Sequence, residues 1–167
     1  AYWPVNLTLM TIWSEALADY ATAGTCLVIA VFSLAALASK KLYFHTVLHP
    51  LSIARGREIY RLVSAGFIHY GLQNMILNVV MLWIYGSRLE SAPALKSSFA
   101  HFQVPLIFFL SILMSNLIST LFHHDEFEAS SDGSSAGVLG VMVSYLLISP
   151  SETLLSLPVI GGVPNWL

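Results

Sequence analysis

Residues 69–90 read HYGLQNMILNVVMLWIYGSRLE, a polar head followed by an apolar run, and this stretch decides the fold. The run at residues 79–85, VVMLWIY, is typical of a helix in a lipid bilayer. Its head contains three amides, Gln73, Asn74 and Asn78, and an amide without a partner is costly in hydrocarbon. Asn74 and Asn78 are four residues apart and therefore share one helix face. The stretch predicts a membrane helix with a polar face that needs a partner.

The composition of the whole chain indicates a membrane protein. Of the 167 residues, 56% are hydrophobic and 10% are charged, whereas a soluble domain has about 25% charged residues. The net charge of −2 and the lack of a basic cluster with interleaved aromatic residues exclude nucleic acid as an expected partner. Cys26 is the only cysteine, so we expect no disulfide framework and no metal site.

Four segments approach the length of about 20 apolar residues that a helix needs to cross the hydrocarbon. They are residues 20–38, 70–85, 99–122 and 133–148. The segment 42–68 predicts a structured loop, and the apolar but Pro- and Gly-broken residues 153–167 predict a loop followed by the start of a fifth span. We therefore predict an all-α polytopic membrane protein, a helical bundle with four complete transmembrane helices plus the start of a fifth. Residues 1–19 would be an N-terminal lead-in.

The basic residues suggest an orientation on their own. All seven Lys and Arg lie between positions 40 and 96, and five of them fall between the first two spans. By the positive-inside rule this loop would lie in the cytoplasm.

The fourth segment opens with SSDGSSAGVLG at residues 130–140, and two interpretations of it remain open. Small residues at four-residue spacings allow a neighbouring helix to approach closely, so the segment could be a tightly packed helix without chemistry. Alternatively, Ser135 lies in the first turn, where free N–H groups and the helix dipole stabilise a developing oxyanion. A serine at that position is a candidate nucleophile if a base can reach it.

The amide pair of the second span also permits two interpretations. Asn74 and Asn78 could form hydrogen bonds to another helix, which are worth about 0.6–2 kcal/mol each. They could instead donate hydrogen bonds to an oxyanion, because polar residues within a membrane often mark functional sites. The residues alone do not decide between these.

Taken together, residues 60–90 and 133–140 resemble the rhomboid intramembrane serine proteases. The shared pattern is an aromatic–Arg pair, a His at the head of the second span, a His-then-Asn pair four residues apart on its face, Gly and Glu at its end, and a Gly-x-Ser stretch with further glycines at the fourth. The matching residues are Tyr60, Arg61, His69, Asn78, Gly86, Glu90, Gly133, Ser135, Gly137 and Gly140, and Asn74 occupies the position of the His in the pair. The resemblance covers roughly residues 20–167, which we predict to be a rhomboid-like membrane domain.

The resemblance implies an intramembrane serine endopeptidase that cleaves transmembrane protein substrates within the lipid bilayer. It implies Ser135 as nucleophile, with its backbone N–H and Asn78 as oxyanion donors and Asn74 as a second candidate donor. The other motif residues would be structural, and no metal or organic cofactor is implied. The long loop and the active site would face the outer side of a cell or inner membrane, against the count of basic residues.

The chain departs from the family pattern at three points. Asn74 stands where the family usually has His, and Ala136 stands where the strict motif has Gly. The family's general base is a His on the sixth span, which we expect beyond Leu167, so we expect the given sequence to be C-terminally incomplete and inactive by itself. The weaker candidate bases are His45, His49, His101, His123 and His124. Two hypotheses follow, an active rhomboid protease and a rhomboid-like pseudoprotease that binds transmembrane segments without cleaving them.

Overall fold

The structure, a computed structural model, describes residues 20–92, 100–126, 130–150, 153–157 and 161–164. In these residues the chain forms helices α1 (Tyr20–Ala38), α2 (Lys40–Thr46), α3 (Pro50–Ala54), α4 (Arg61–Ser64), α5 (Leu72–Ser91), α6 (Ala100–Phe122) and α7 (Ser135–Ile148). A 3₁₀ turn, Ala65–Phe67, follows α4. Two strands, β1 (Thr153–Leu157) and β2 (Gly161–Pro164), complete the described elements. The predicted lead-in at residues 1–19 lies outside the described residues.

The helical membrane architecture is confirmed, whereas the count of four complete transmembrane helices is not. Among the described residues, Tyr20–Ala38 and Phe102–Phe122 are each long and apolar enough to cross a membrane. A third candidate combines Arg61–Phe67 with α5, and its two parts meet at 90°. Helix α7 has 14 residues and is about 21 Å long, shorter than the hydrocarbon thickness of about 30 Å.

The predicted start of a fifth span is not confirmed in the residues that the structure describes there. Residues 153–157 and 161–164 pair as antiparallel strands, with Leu157 opposite Gly161. Glycine costs about 1 kcal/mol in a helix interior and proline about 3 kcal/mol, so the Gly161–Pro164 stretch, GGVP, opposes continuation as a helix.

The main core lies where α1, α5, α6 and α7 pack together. Helix α5 packs against α1 and α7, and α6 packs against α7. The buried side chains at these contacts include Ile29, Leu82, Phe108, Val141 and Tyr145.

Three glycines allow these helices to approach closely. A Cβ on Gly86 would lie 2.7 Å from Thr22 Cγ2 of α1, and one on Gly137 would lie 2.5 Å from Phe108 Cδ2 of α6. A Cβ on Gly140 would overlap the Ser111 hydroxyl, again on α6. Because lipid is as apolar as the side chains, such close van der Waals packing is a principal source of helix association in a bilayer.

The segment predicted to be a structured loop folds into the short helices α2–α4. Arg61 Nη1 donates to the carbonyl oxygens of Phe44 and Val47, both at 2.7 Å. The Arg61 guanidinium also donates two hydrogen bonds to Glu58, which lower the pKa of that exposed carboxyl. Tyr60 Oη donates to His45 O at 3.1 Å. The aromatic–Arg pair thus binds the backbone of α2 and the turn after it.

Candidate active site

The segments that precede α5 and α7 meet and place the two helix N-termini side by side. Gly133 N donates to Ala65 O at 3.1 Å, and Tyr70 N donates to an Asp132 carboxylate oxygen at 2.6 Å. Gly133 has a φ of 106°, a conformation that residues with a Cβ rarely adopt. Burial, with added repulsion from Asp132 and a hydrogen bond to it, raises the pKa of Tyr43 to about 12, so this hydroxyl stays protonated. The loop before α7 is therefore fixed next to His69.

His69 joins three parts of the chain through its two ring nitrogens. The side chain is 1% exposed. Its Nδ1 lies 2.8 Å from Ser33 Oγ in the middle of α1. Its Nε2 lies 3.2 Å from both Ser134 N and Ser134 Oγ, and 3.3 Å from Asn78 Nδ2. A single imidazole thus links α1, α5 and the start of α7.

The two asparagines of α5 have different surroundings although they lie one turn apart. Asn78 is 8% exposed, and its Nδ2 donates to Asn74 O at 2.9 Å while it also contacts His69. The Asn74 side chain is exposed and forms no hydrogen bond within the described part of the chain. Asn78 therefore has the partner that its burial demands, whereas the Asn74 amide remains able to bind a ligand.

Ser135 is the first residue of α7, and its side chain is exposed. Ser134 is the N-cap residue, and its side chain accepts no hydrogen bond from the first turn. The first N–H groups of a helix lack partners within that helix, so they are available for an anion in front of Ser135. Within the described residues, no histidine hydrogen-bonds to the Ser135 hydroxyl.

Ser134 and His69 have the separation of a serine–histidine catalytic pair, but their surroundings are those of a structural contact. Ser134 is 0% exposed, so its hydroxyl has no access to a substrate. His69 Nε2 also receives the backbone N–H of Ser134, which leaves it less able to take a proton. We therefore keep Ser135 as the candidate nucleophile.

The remaining motif residues lie at helix contacts or in the loops. The buried Glu90 carboxylate accepts hydrogen bonds from Thr22 N at 3.1 Å and Thr22 Oγ1 at 2.8 Å, so it binds the first turn of α1. His123 and His124 are exposed, and His124 pairs with Asp125 at 3.0 Å. No group of three His, Cys, Asp or Glu residues suited to a metal occurs in the part of the chain that the structure describes.

Ser33 and Ser134 were not among the predicted site residues. Ser33 is an isolated serine in an apolar helix, and no sequence pattern links it to residue 69. Ser134 is adjacent to the candidate nucleophile, but adjacency alone does not indicate that its side chain contacts His69.

The fold defines a helical, polytopic integral membrane protein. Hydrogen bonds join His69, Asn78 and Ser134 in its interior, and the exposed Ser135 follows at the start of α7. Residues 56–166 match the family described as the Rhomboid domain. The chain therefore belongs to the rhomboid family.

The relatives that match this chain include several plant proteins. The chain is 28% identical over 95 residues to "RHOMBOID-like protein 6, mitochondrial" of Arabidopsis thaliana, covering 57% of this chain and 29% of the relative. It is 26% identical over 97 residues to "RHOMBOID-like protein 4", covering 58% of this chain and 23% of that relative. It is also 27% identical over 95 residues to "Inactive RHOMBOID-like protein 8", covering 57% of this chain and 25% of that relative. These two relatives also come from Arabidopsis thaliana. The matched stretch thus spans less than a third of each of these relatives.

Proposed function

We propose that the full-length protein is an intramembrane serine endopeptidase that cleaves transmembrane protein substrates in the lipid bilayer. The observation that supports this most directly is the exposed Ser135 at the start of α7, where the N-cap residue makes no side-chain cap. The preceding residue, Ser134, hydrogen-bonds to His69, which also contacts Asn78. This arrangement brings a hydroxyl and several hydrogen-bond donors together, as acyl transfer requires.

The proposed reaction follows the chemistry of serine acyl transfer. Ser135 Oγ attacks the scissile carbonyl carbon, and its proton passes to a histidine on a later helix of the full-length protein, as the family resemblance implies. The negative charge on the former carbonyl oxygen is stabilised by Ser135 N–H and by the amides of Asn78 and Asn74. The protonated base then gives its proton to the leaving amine, and water hydrolyses the acyl-enzyme.

The same proposal includes the location of the site. The loop at α2–α4 and the start of α7 would face the outer side of a cell or inner membrane. The short α7 supports a candidate site below the membrane surface, because non-helical backbone at membrane depth is tolerated where protein buries it or where it lines an aqueous cavity. Such a cavity supplies the water that peptide hydrolysis needs.

The test is labelling of the full-length protein with a serine-directed fluorophosphonate, together with cleavage of a transmembrane substrate. Ser135→Ala should abolish both signals. The matched control is Ser144→Ala, because the Ser144 hydroxyl donates to Gly140 O within α7 at 2.8 Å and has no other hydrogen-bond partner among the described residues. Asn78→Ala should lower kcat by about 10²–10³-fold, the usual effect of removing one oxyanion donor. Equal labelling of wild type and Ser135→Ala would contradict the proposal.

A rhomboid-like pseudoprotease that binds transmembrane segments is the second candidate. It is favoured by Asn74 in place of the family's His and by the Asn78 amide, whose two N–H groups already face Asn74 O and His69. One matching relative is also called inactive. Binding of a transmembrane peptide by a folded full-length protein that neither labels nor cleaves would support this candidate.

A further inference from the structure

Ser33 of α1 lies behind His69, on the side away from Asn78. It is 0% exposed. Its hydroxyl has two partners, the carbonyl oxygen of Phe67 at 3.1 Å and His69 Nδ1 at 2.8 Å. A carbonyl oxygen can only accept, so the Ser33 hydroxyl proton goes to Phe67 O. Ser33 Oγ is then left as an acceptor that faces His69 Nδ1.

The other ring nitrogen of His69 faces only possible donors. The backbone N–H of Ser134 cannot accept a hydrogen bond, and it lies 3.2 Å from Nε2. This donor favours a lone pair on Nε2, and a neutral imidazole with that lone pair has its proton on Nδ1. Both ends of the ring agree, because Nδ1–H donates to Ser33 Oγ and Nε2 accepts from Ser134.

The tautomer of His69 determines how the site in front of it is oriented. An Nε2 lone pair attracts the NH₂ group of Asn78, at 3.3 Å, rather than its carbonyl oxygen. It also holds the N–H of Ser134, the residue before the candidate nucleophile. The opposite tautomer would place Nε2–H against the N–H of Ser134, and it would reverse the preferred orientation of the Asn78 amide.

The Asn78 contact can be exchanged without leaving His69 Nε2 unsatisfied. Three donors approach Nε2, which has a single lone pair in the ring plane. Because Ser134 supplies donors to that lone pair, one N–H of the Asn78 amide can turn towards an oxyanion while Ser134 still satisfies His69.

We propose that Ser33 is a positioning residue, which fixes His69 as the Nδ1–H tautomer and thereby directs the Asn78 amide and the Ser134–Ser135 backbone towards the reacting carbonyl. The tautomer is a property of the fold alone. Its effect on catalysis rests on the proposed protease function.

The first experiment measures the tautomer without any activity. The full-length protein, labelled with ¹⁵N-histidine in detergent micelles, is studied by long-range ¹H–¹⁵N correlation, and His69→Gln identifies the His69 signals. We expect Nδ1–H for His69 in wild type and a mixture of tautomers in Ser33→Ala. The matched control is Thr25→Val, which removes a hydroxyl of α1 whose one hydrogen bond among the described residues goes to Ala21 O. Wild-type His69 protonated on Nε2, or an unchanged tautomer in Ser33→Ala, would overturn the proposal.

The second experiment measures the consequence for cleavage of a transmembrane substrate. Ser33→Ala should lower kcat by up to about 10²-fold, as expected when an oxyanion donor is misplaced, with KM unchanged. Thr25→Val should retain wild-type kcat, and an equal loss in both variants would refute a specific role of Ser33. If wild type neither cleaves nor labels at Ser135, the proposed function fails, while the tautomer measurement still decides whether Ser33 fixes His69.

Discussion

At the scale of single residues, the two α5 asparagines show how position within a helix separates structural from reactive groups. The Asn78 side chain is buried and bonded to Asn74 O and His69, whereas the Asn74 side chain is exposed and forms no hydrogen bond in the described part of the chain. Loss of a bonded buried amide affects folding as well as function, since its former partners lose a hydrogen bond. Loss of the exposed amide should affect function alone.

We predict that Asn74→Ala lowers kcat without destabilising the protein. Removing one oxyanion donor costs about 10²–10³-fold in rate, and a substitution at an exposed side chain without partners changes the free energy of unfolding by about 0.5 kcal/mol or less. Cleavage assays and thermal unfolding of the full-length protein measure both quantities. Asn74→His, which restores the family's usual residue, should retain or raise kcat. Wild-type kcat in Asn74→Ala would show that Asn78 and the backbone suffice.

At the scale of helices, small residues set the distance between α6 and α7. Gly137 and Gly140 are one turn apart, and a Cβ at either would overlap α6, at Phe108 and Ser111 respectively. Since α7 begins at Ser135, this contact also fixes the position of the candidate nucleophile relative to α5. A substitution here should therefore alter both stability and rate.

We predict that Gly137→Ala destabilises the protein by about 1–3 kcal/mol, the usual cost of overpacking a close contact. The added methyl would lie 2.5 Å from the Phe108 ring, so the ring or the helix must move. The control is Gly24→Ala in α1, where a Cβ meets nothing within 4 Å. That variant should be neutral or stabilising by about 0.5–1 kcal/mol, because alanine favours a helix. Denaturation in mild detergent compares the two, and equal destabilisation would contradict the packing explanation.

At the scale of the whole molecule, two distant loops meet on one side of the helices. Leu48 N donates to Ser131 O at 3.0 Å, and Ser131 N donates to Leu48 O at 3.4 Å. The loop at α2–α4 and the loop before α7 therefore lie on the same side of the bilayer. Helix α5 starts on this side and has 20 residues, a length of about 30 Å that matches the hydrocarbon.

We predict that cysteines placed at Lys41 and at Asp125 react with a membrane-impermeant maleimide from the same side of sealed vesicles. Both residues are exposed, and both belong to the side on which the two loops meet. A cysteine at the exposed Ser91, the last residue of α5, should react only from the opposite side. Wild type, whose Cys26 is buried, provides the unlabelled control. Reaction of the Lys41 and Asp125 variants from opposite sides would contradict this arrangement.

Local chemistry was sufficient to predict much of the fold. The predicted first span, residues 20–38, coincides with α1, and the third differs from α6 by one residue. Apolar runs of this length have few alternatives in a membrane, because a helix satisfies its own backbone hydrogen bonds. The spacing of Asn74 and Asn78 likewise predicts one shared helix face from local geometry alone.

The contacts between distant residues are visible only in the folded protein. The amino-acid sequence predicts a helical membrane protein, a polar face on α5 and a candidate serine at a helix start. It did not determine that Ser33 lies behind His69, that Ser134 is buried while Ser135 is exposed, or that only one α5 amide is paired. The physical reason is that these hydrogen bonds join residues 36 and 65 positions apart, and their geometry is set by how α1, α5 and α7 pack together.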